Sequence, residues 1–261
     1  TEIGTAAFRE CASLASVRLP ASLKSIGEQA FRHCGKLKEV IAPGTVKDVG
    51  VDAFWNCGLL ADENGFLVAA GCLLGYYGRA SSLRVPDGVK RIVTLTHGTA
   101  VIGYDPRQDV TEILLPEGLE EIGRDAFAGY GGIKSIRIPD SVKTIALRAF
   151  CRSGLTEVTL GAGLKTIGGE AFSFTPLQTL RIPRSVRTIE TMAFNGCGQL
   201  RDLYIPAAAA KFGKDIFGKN ASALTSPSQP AGIRVHTPAG SAAETYVKQY
   251  GGVTVVNDYN E

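Results

Sequence analysis

The sequence predicts a β-rich α/β solenoid, a stack of coils of 22 or 23 residues with a β-ladder on one face and short helical turns on the other. Three observations carry this. An Ala-Phe pair recurs, ending at Phe8, Phe31, Phe54, Phe127, Phe150, Phe172 and Phe194, with a looser copy at Phe217. Outside one gap the steps are 22 or 23 residues. Ile-Gly stands before most copies, as in Ile26-Gly27 and Ile167-Gly168, and between copies runs the pattern L-x-x-V-x-L-P, first as Leu14, Val17, Leu19 and Pro20, last as Leu200, Leu203, Ile205 and Pro206.

Each element of the coil has a physical reason. L-x-x-V-x-L puts three apolar side chains on one face of a short extended stretch, with polar residues between them. Proline stops the strand, and a second short piece such as Leu23–Ile26 turns inward again. Glycine permits the bend that follows, and x-x-Ala-Phe reads as one tight helical turn with Phe plugging the core. No coil can bury its apolar face alone, but stacked coils bury a continuous one.

The rhythm breaks once. From Phe54 to Phe127 there are 73 residues, with irregular hairpin-bearing units at about 59–110. Residues 62–77 hold two apolar runs around Ala70-Gly71 and predict a β-hairpin. The coil resumes at Leu83, Val85, Pro86, Val89 and Ile92, and then residues 93–109 depart from the pattern. Residues 1–220 read as the solenoid and 221–261 as a closing loop and cap. In the cap, strands are expected at 233–236 and 253–256, and a helix opened by a Ser241/Glu244 capping box is expected to close at Gly251-Gly252. Thr1 starts inside the repeat pattern without a secretory leader, which reads as a trimmed piece of a longer chain.

The unit L-x-x-V-x-L-P-x-S-L-K-x-I-G-x-x-A-F-x-x-C resembles the leucine-rich repeat of the BspA type, and does so along nearly the whole chain. The resemblance implies a right-handed leucine-rich-repeat solenoid. It also implies a secreted or surface-anchored bacterial protein, placed outside the cell or on its surface, that binds host matrix proteins or other cells.

Catalytic chemistry is sparse. Cys11, Cys34, Cys57 and Cys197 all lie three residues after an Ala-Phe phenylalanine and so share one slot. Small, buryable cysteine suits a column of core positions. Stacked Cβ vectors run parallel and aim the sulfurs poorly at one another, so free thiols are expected. The His33-Cys34 pair then reads as a repeat position, since Glu10, Asn56 and Gly196 stand where His33 does. Cys72 and Cys151 fall outside that slot, which leaves their exposure open, and nothing marks them as reactive. No C-x-x-C, G-x-G-x-x-G or phosphate-loop pattern occurs, and His33, His97 and His236 are far apart in sequence. Residues 62–65, Asp-Glu-Asn-Gly, read as a polar turn and not as a calcium loop. No catalytic residue, metal or cofactor is therefore assigned, and an enzyme is not expected.

A net charge of +3 without a Lys/Arg run speaks against nucleic acid, and no apolar stretch is long enough to cross a bilayer. What remains is a binding surface. The residues flanking the central apolar position of each strand point outward. One column carries Ser16, Glu39, Glu112, Ser135, Glu157, Thr179 and Asp202; its neighbour carries Arg18, Ile41, Arg84, Leu114, Arg137, Thr159, Arg181 and Tyr204. Arg, Tyr and exposed aliphatics are enriched at interfaces, so Arg18, Arg84, Leu114, Arg137, Arg181 and Tyr204 are the candidate binding residues. The competing reading is a solvated face on which Arg and Glu pair across strands. His97, Tyr104 and Arg107, in the irregular 93–109 segment, are secondary candidates. Lys24, Lys47, Lys90, Lys143, Lys165 and Arg187 form a further column, interrupted by Glu120, that reads as a solubilising surface or as one attracting acidic glycans.

Together these readings predict a monomeric, non-catalytic recognition or adhesion module for a host protein or glycan. The alternative is a structural spacer that presents another domain and has no ligand of its own.

Overall fold

The coil from Ile133 to Leu155 shows how the pattern folds in the computed structural model. In the strand Ser135–Arg137, Ile136 is buried and its two neighbours are exposed. Ile138 is buried beside Pro139, Val142 and Ile145 turn back into the core, and Phe150 plugs it with no exposed surface. The Ala-Phe segment that follows is a run of single turns with a regular alternation. The N–H groups of Arg148, Phe150 and Arg152 donate to Gly169, Ala171 and Ser173 of the next coil at 2.8–2.9 Å. Those of Ala149, Cys151 and Ser153 close i→i−3 turns within their own coil. Arg148 and Arg152, both at φ 58°, provide the alternation. Left-handed backbone is costly for non-glycine residues, and here the inter-coil ladder offsets the strain. The same two slots hold Gln29 and His33, and Glu170 and Phe174, all at positive φ.

The glycines of the Ile-Gly slot serve a different purpose from the bend the sequence suggested. Gly27 and Gly168, and Gly50 and Gly213 which follow Val49 and Phe212 in the same slot, do not have positive φ. Their N–H groups instead join a ladder, as Gly27 to the Ile3 carbonyl and Gly213 to the Ile189 carbonyl, both at 2.7 Å. A Cβ on Gly213 would lie 2.1 Å from the Thr191 nitrogen. Glycine is thus used for the close approach of the neighbouring coil, although Ala146 and Glu190 take the same slot with the same bond.

The structure describes residues 1–41, 46, 48–50, 52–57, 60–69, 71–93, 108–218, 232–250 and 252–259. They fall into two compact units, one from Thr1–Ala80 and Gly88–Pro106, the other from Ser81–Asp87 and Arg107–Glu261. Both units are stacks of solenoid coils. In the first, Ser16–Arg18 pairs in parallel with Glu39–Ile41, and a second ladder runs through Glu2–Ile3, Ser25–Ile26 and Asp48–Val49. Phe8, Phe31 and Phe54 stack face to face with ring centroids 5.1 and 5.2 Å apart. The expected hairpin is formed by Phe66–Ala69 and Cys72–Tyr76, antiparallel with a bulge at Leu67/Val68, and Cys72–Tyr76 then pairs in parallel with Arg91–Ile92.

In the second unit Phe127, Phe150, Phe172 and Phe194 continue the same device, 5.3–6.0 Å apart. One ladder runs through Glu121–Ile122, Thr144–Ile145, Thr166–Ile167, Thr188–Ile189 and Lys211–Phe212. The outer ladder pairs Ser82–Arg84 with Glu112–Leu114 and Ser135–Arg137 with Glu157–Thr159. Its last part joins Thr179–Arg181, Asp202–Tyr204, Ile233–His236 and Val253–Val256. The cap helix, Ala242–Val247, is the one α-helix among the described residues. Ser241 Oγ accepts from Glu244 N, and Glu244 Oε2 accepts from Gly240 N. Its C-cap is Lys248, short of the predicted glycine pair, because the Lys248 N–H bonds back to Glu244 and Tyr246; Gly251 lies outside the described residues.

Candidate functional site

The cysteines settle into the frame. Cys34, Cys57 and Cys197 are buried, and each thiol donates to the phenylalanine carbonyl of the preceding coil at 3.0 Å. Burial pushes Cys57 up to about 12 and Cys197 to about 11, so neither is a thiolate at neutral pH. All six cysteines are free. Cys72 and Cys151, whose exposure the sequence left open, are buried. His33 occupies a left-handed slot at φ 62°, where the Asn56 amide of the next coil donates to its Nδ1 at 3.0 Å.

On the outer ladder the candidate residues stand where the columns predicted. In the first unit, Arg18 is exposed and lies opposite Ile41 in the register. In the second, Arg84 lies opposite Leu114, Arg137 opposite Thr159, and Arg181 opposite Tyr204. Parallel in-register pairing sets such neighbours about 4.8 Å apart, so the ladder brings Arg181 and Tyr204 into contact. The Arg181 guanidinium carbon sits 3.7 Å from the Tyr204 ring centroid, a cation–π contact. Between Glu157–Thr159 and Thr179–Arg181 lies a recess of about 350 Å³ lined by Glu157, Val158, Thr159, Leu160, Thr179 and Arg181. It offers one cation, one carboxylate and two hydroxyls at the surface.

The column extends one coil further than the sequence reading took it. Tyr204 stacks on His236 at 4.2 Å and 13°, and His236 is held between two carboxylates. Its Nε2 is 2.9 Å from Asp202 Oδ1 and its Nδ1 is 2.7 Å from Asp258 Oδ1. Arg234 makes a two-pronged contact with Asp202, Nε to Oδ1 at 2.7 Å and an Nη to Oδ2 at 2.8 Å. Hydrogen bonds from Arg234 and then His236 hold the Asp202 carboxyl below its usual range. Burial works against charge on His236, but its bonds to Asp202 and Asp258 prevail and raise its pKa above the ordinary 6.5. The signal for Arg234 and His236 was in the sequence, because Ile233–His236 is another outer strand and these two fall on the alternation of the outward columns, although His236 is buried beneath Tyr204 and between two carboxylates.

The arginines of the other coils differ. Arg18, Arg84, Arg137 and Arg181 make no ion pair among the described residues, although Glu39, Glu112 and Glu157 stand in the neighbouring column. The expected alternative of Arg–Glu pairing across strands does not hold at these positions, since no acid stands directly opposite any of them in the register. His97, Tyr104 and Arg107 lie outside the described residues, as does Lys47 of the lysine column. Lys24, Lys90, Lys143, Lys165 and Arg187 are exposed.

The family model for BspA type leucine rich repeat regions matches residues 1–62 and 105–224 in six copies. Among solved structures, the pneumococcal vaccine antigen PcpA is similar at 17% identity, over 99% of this chain and 71% of that one, with a TM-score of 0.51. A leucine-rich repeat protein from Bacteroides ovatus is 22% identical over 98% of this chain, with a TM-score of 0.49. A leucine rich cell surface protein from Faecalibacterium prausnitzii is 20% identical over 99% of this chain, with a TM-score of 0.48. The chain spans 64% and 66% of the length of those last two. Among curated proteins, none matches.

Proposed function

Because the chain belongs to the family of BspA type leucine-rich repeat proteins, we propose that it is a non-catalytic recognition module of a bacterial surface or secreted protein. It binds a host matrix protein, another cell-surface protein or a glycan through the outer sheet face. One observation carries this reading. Arg84, Arg137 and Arg181 stand exposed on a rigid ladder with no acid opposite them, beside the exposed Leu114 and the recess at Glu157 and Arg181. Desolvating unpaired arginines is favourable only against a partner that supplies the missing counter-charge, and arginine and tyrosine are frequent anchors at interfaces.

The test is binding of the purified chain to a panel of matrix proteins and glycans, beside an Arg137→Glu/Arg181→Glu variant of unchanged melting temperature. Saturable binding that is lost in the variant is the expected result. Binding equal in both would move the site off this face, and binding to nothing would favour a spacer that presents another domain.

A further inference from the structure

The two outward columns of the second unit alternate coil by coil. Ser82/Arg84, Ser135/Arg137 and Thr179/Arg181 carry a hydroxyl and a cation. The coils between them, Glu112/Leu114, Glu157/Thr159 and Asp202/Tyr204, carry an acid and no cation. All six strands are neighbours in this order. Like charges therefore recur every second coil, about 10 Å apart at the usual strand spacing, with the acids offset by one coil from the arginines. In the first unit Ser16/Arg18 is followed by Glu39/Ile41, the same alternation.

Such a face discriminates by period as well as by sign. A polyanion laid along the arginines would also meet Glu112 and Glu157, and a polycation on the acids would meet the arginines. The complementary ligand carries both signs at the same repeat. A β-strand repeats its side-chain direction at about 7 Å and about 13 Å and falls out of step. A polyproline II chain returns to the same edge every third residue, about 9 Å on, and its solvated backbone needs no partner on the sheet. The mismatch per repeat, about 1 Å, lies within the reach of Arg, Lys and Glu side chains.

We infer that this face binds an extended polyproline-II-type segment of a partner protein in which an acidic and a basic residue recur every third position, lying along the stack and across the strands. The inference rests on the sheet-face reading above. Arg137 and Arg181 take successive acids of the segment, and Arg181 is steadied by Tyr204. Glu112 and Glu157 take its basic residues, whereas Asp202 is already engaged by Arg234 and His236 and ends the usable register.

The experiment is fluorescence anisotropy of the whole chain with labelled Glu-Lys-Pro repeat peptides. Length-matched Glu-Lys-Pro-Pro and Glu-Glu-Pro repeats and heparin run beside them. The expected result is binding of the three-residue repeat at least about fivefold tighter than the four-residue repeat, weakened about fivefold by each of Arg137→Gln and Arg181→Gln at unchanged melting temperature. Equal affinity for the two spacings, or tighter binding of Glu-Glu-Pro or heparin, overturns the inference. So does the absence of peptide binding. If arginine-dependent binding to the matrix panel persists in those cases, the sheet-face reading stands and only the period is wrong; if that binding is absent too, both fall.

Discussion

Two stretches of one ladder carry the same kinds of residue and resolve their charges in opposite ways. At Asp202, Arg234, His236 and Asp258 every charge meets a counter-charge. At Arg84, Arg137 and Arg181 none does among the described residues. The cause is register. Arg234 is the direct partner of Asp202, while Arg84 faces Leu114 and Arg137 faces Thr159. In a parallel in-register ladder directly opposed side chains are closest and diagonal ones further off. The order in which coils follow one another, more than their composition, decides which charges are left for a partner.

The most disruptive way to probe this contrast is to remove the frame beneath it. Phe150→Ala empties one position of the stacked rings and should cost ~3–5 kcal/mol of unfolding free energy, read by denaturant titration. A loss near zero would mean the rings are not what holds the coils in register. Asp202→Asn should make the closed stretch resemble the open one. It removes the counter-charge of Arg234 and one of the two at His236, which keeps Asp258, and should cost ~1 kcal/mol, while an NMR titration shows the His236 pKa falling toward its ordinary value.

The same histidine gives the closed stretch a pH dependence. Its folded pKa is raised, so its contribution is fully present below the unfolded value of ~6.5. That contribution is lost as pH rises through the folded value. Melting temperature followed from mildly acid to mildly alkaline pH should show this fall in the wild-type chain and a shallower one in His236→Gln; parallel curves would refute the linkage. The smallest effect belongs to the open stretch, where Arg137→Gln should change stability by no more than ~0.5 kcal/mol. A larger loss would reveal an intramolecular partner.

Much of this was legible in the sequence. The Ala-Phe period gave the coils, the alternation within L-x-x-V-x-L gave the outward columns, and the two apolar runs at 62–77 gave the hairpin. Arg234 and His236 were missed because the step from Leu203 to Val235 is 32 residues, longer than the coil period, so the strand expected at 233–236 was not counted into the outward columns. The left-handed slots were hidden because His33, Asn56 and Arg152 fill them in place of glycine. There the strain is offset by hydrogen bonds to the next coil, a tertiary cause that local propensity does not record. The glycine of Ile-Gly was visible, but its purpose was not, since close approach of a neighbour is a distance and leaves no mark in one coil.

The alternation also sets how such a protein can lengthen. Duplication of a single coil would place two arginine strands, or two acidic ones, side by side, with like charges about 4.8 Å apart. Duplication of a pair, such as the 45 residues from Phe127 to Phe172, preserves the phase. On this face the charge pattern thus repeats over two coils, and a single coil inserted or removed would leave a seam of like charges.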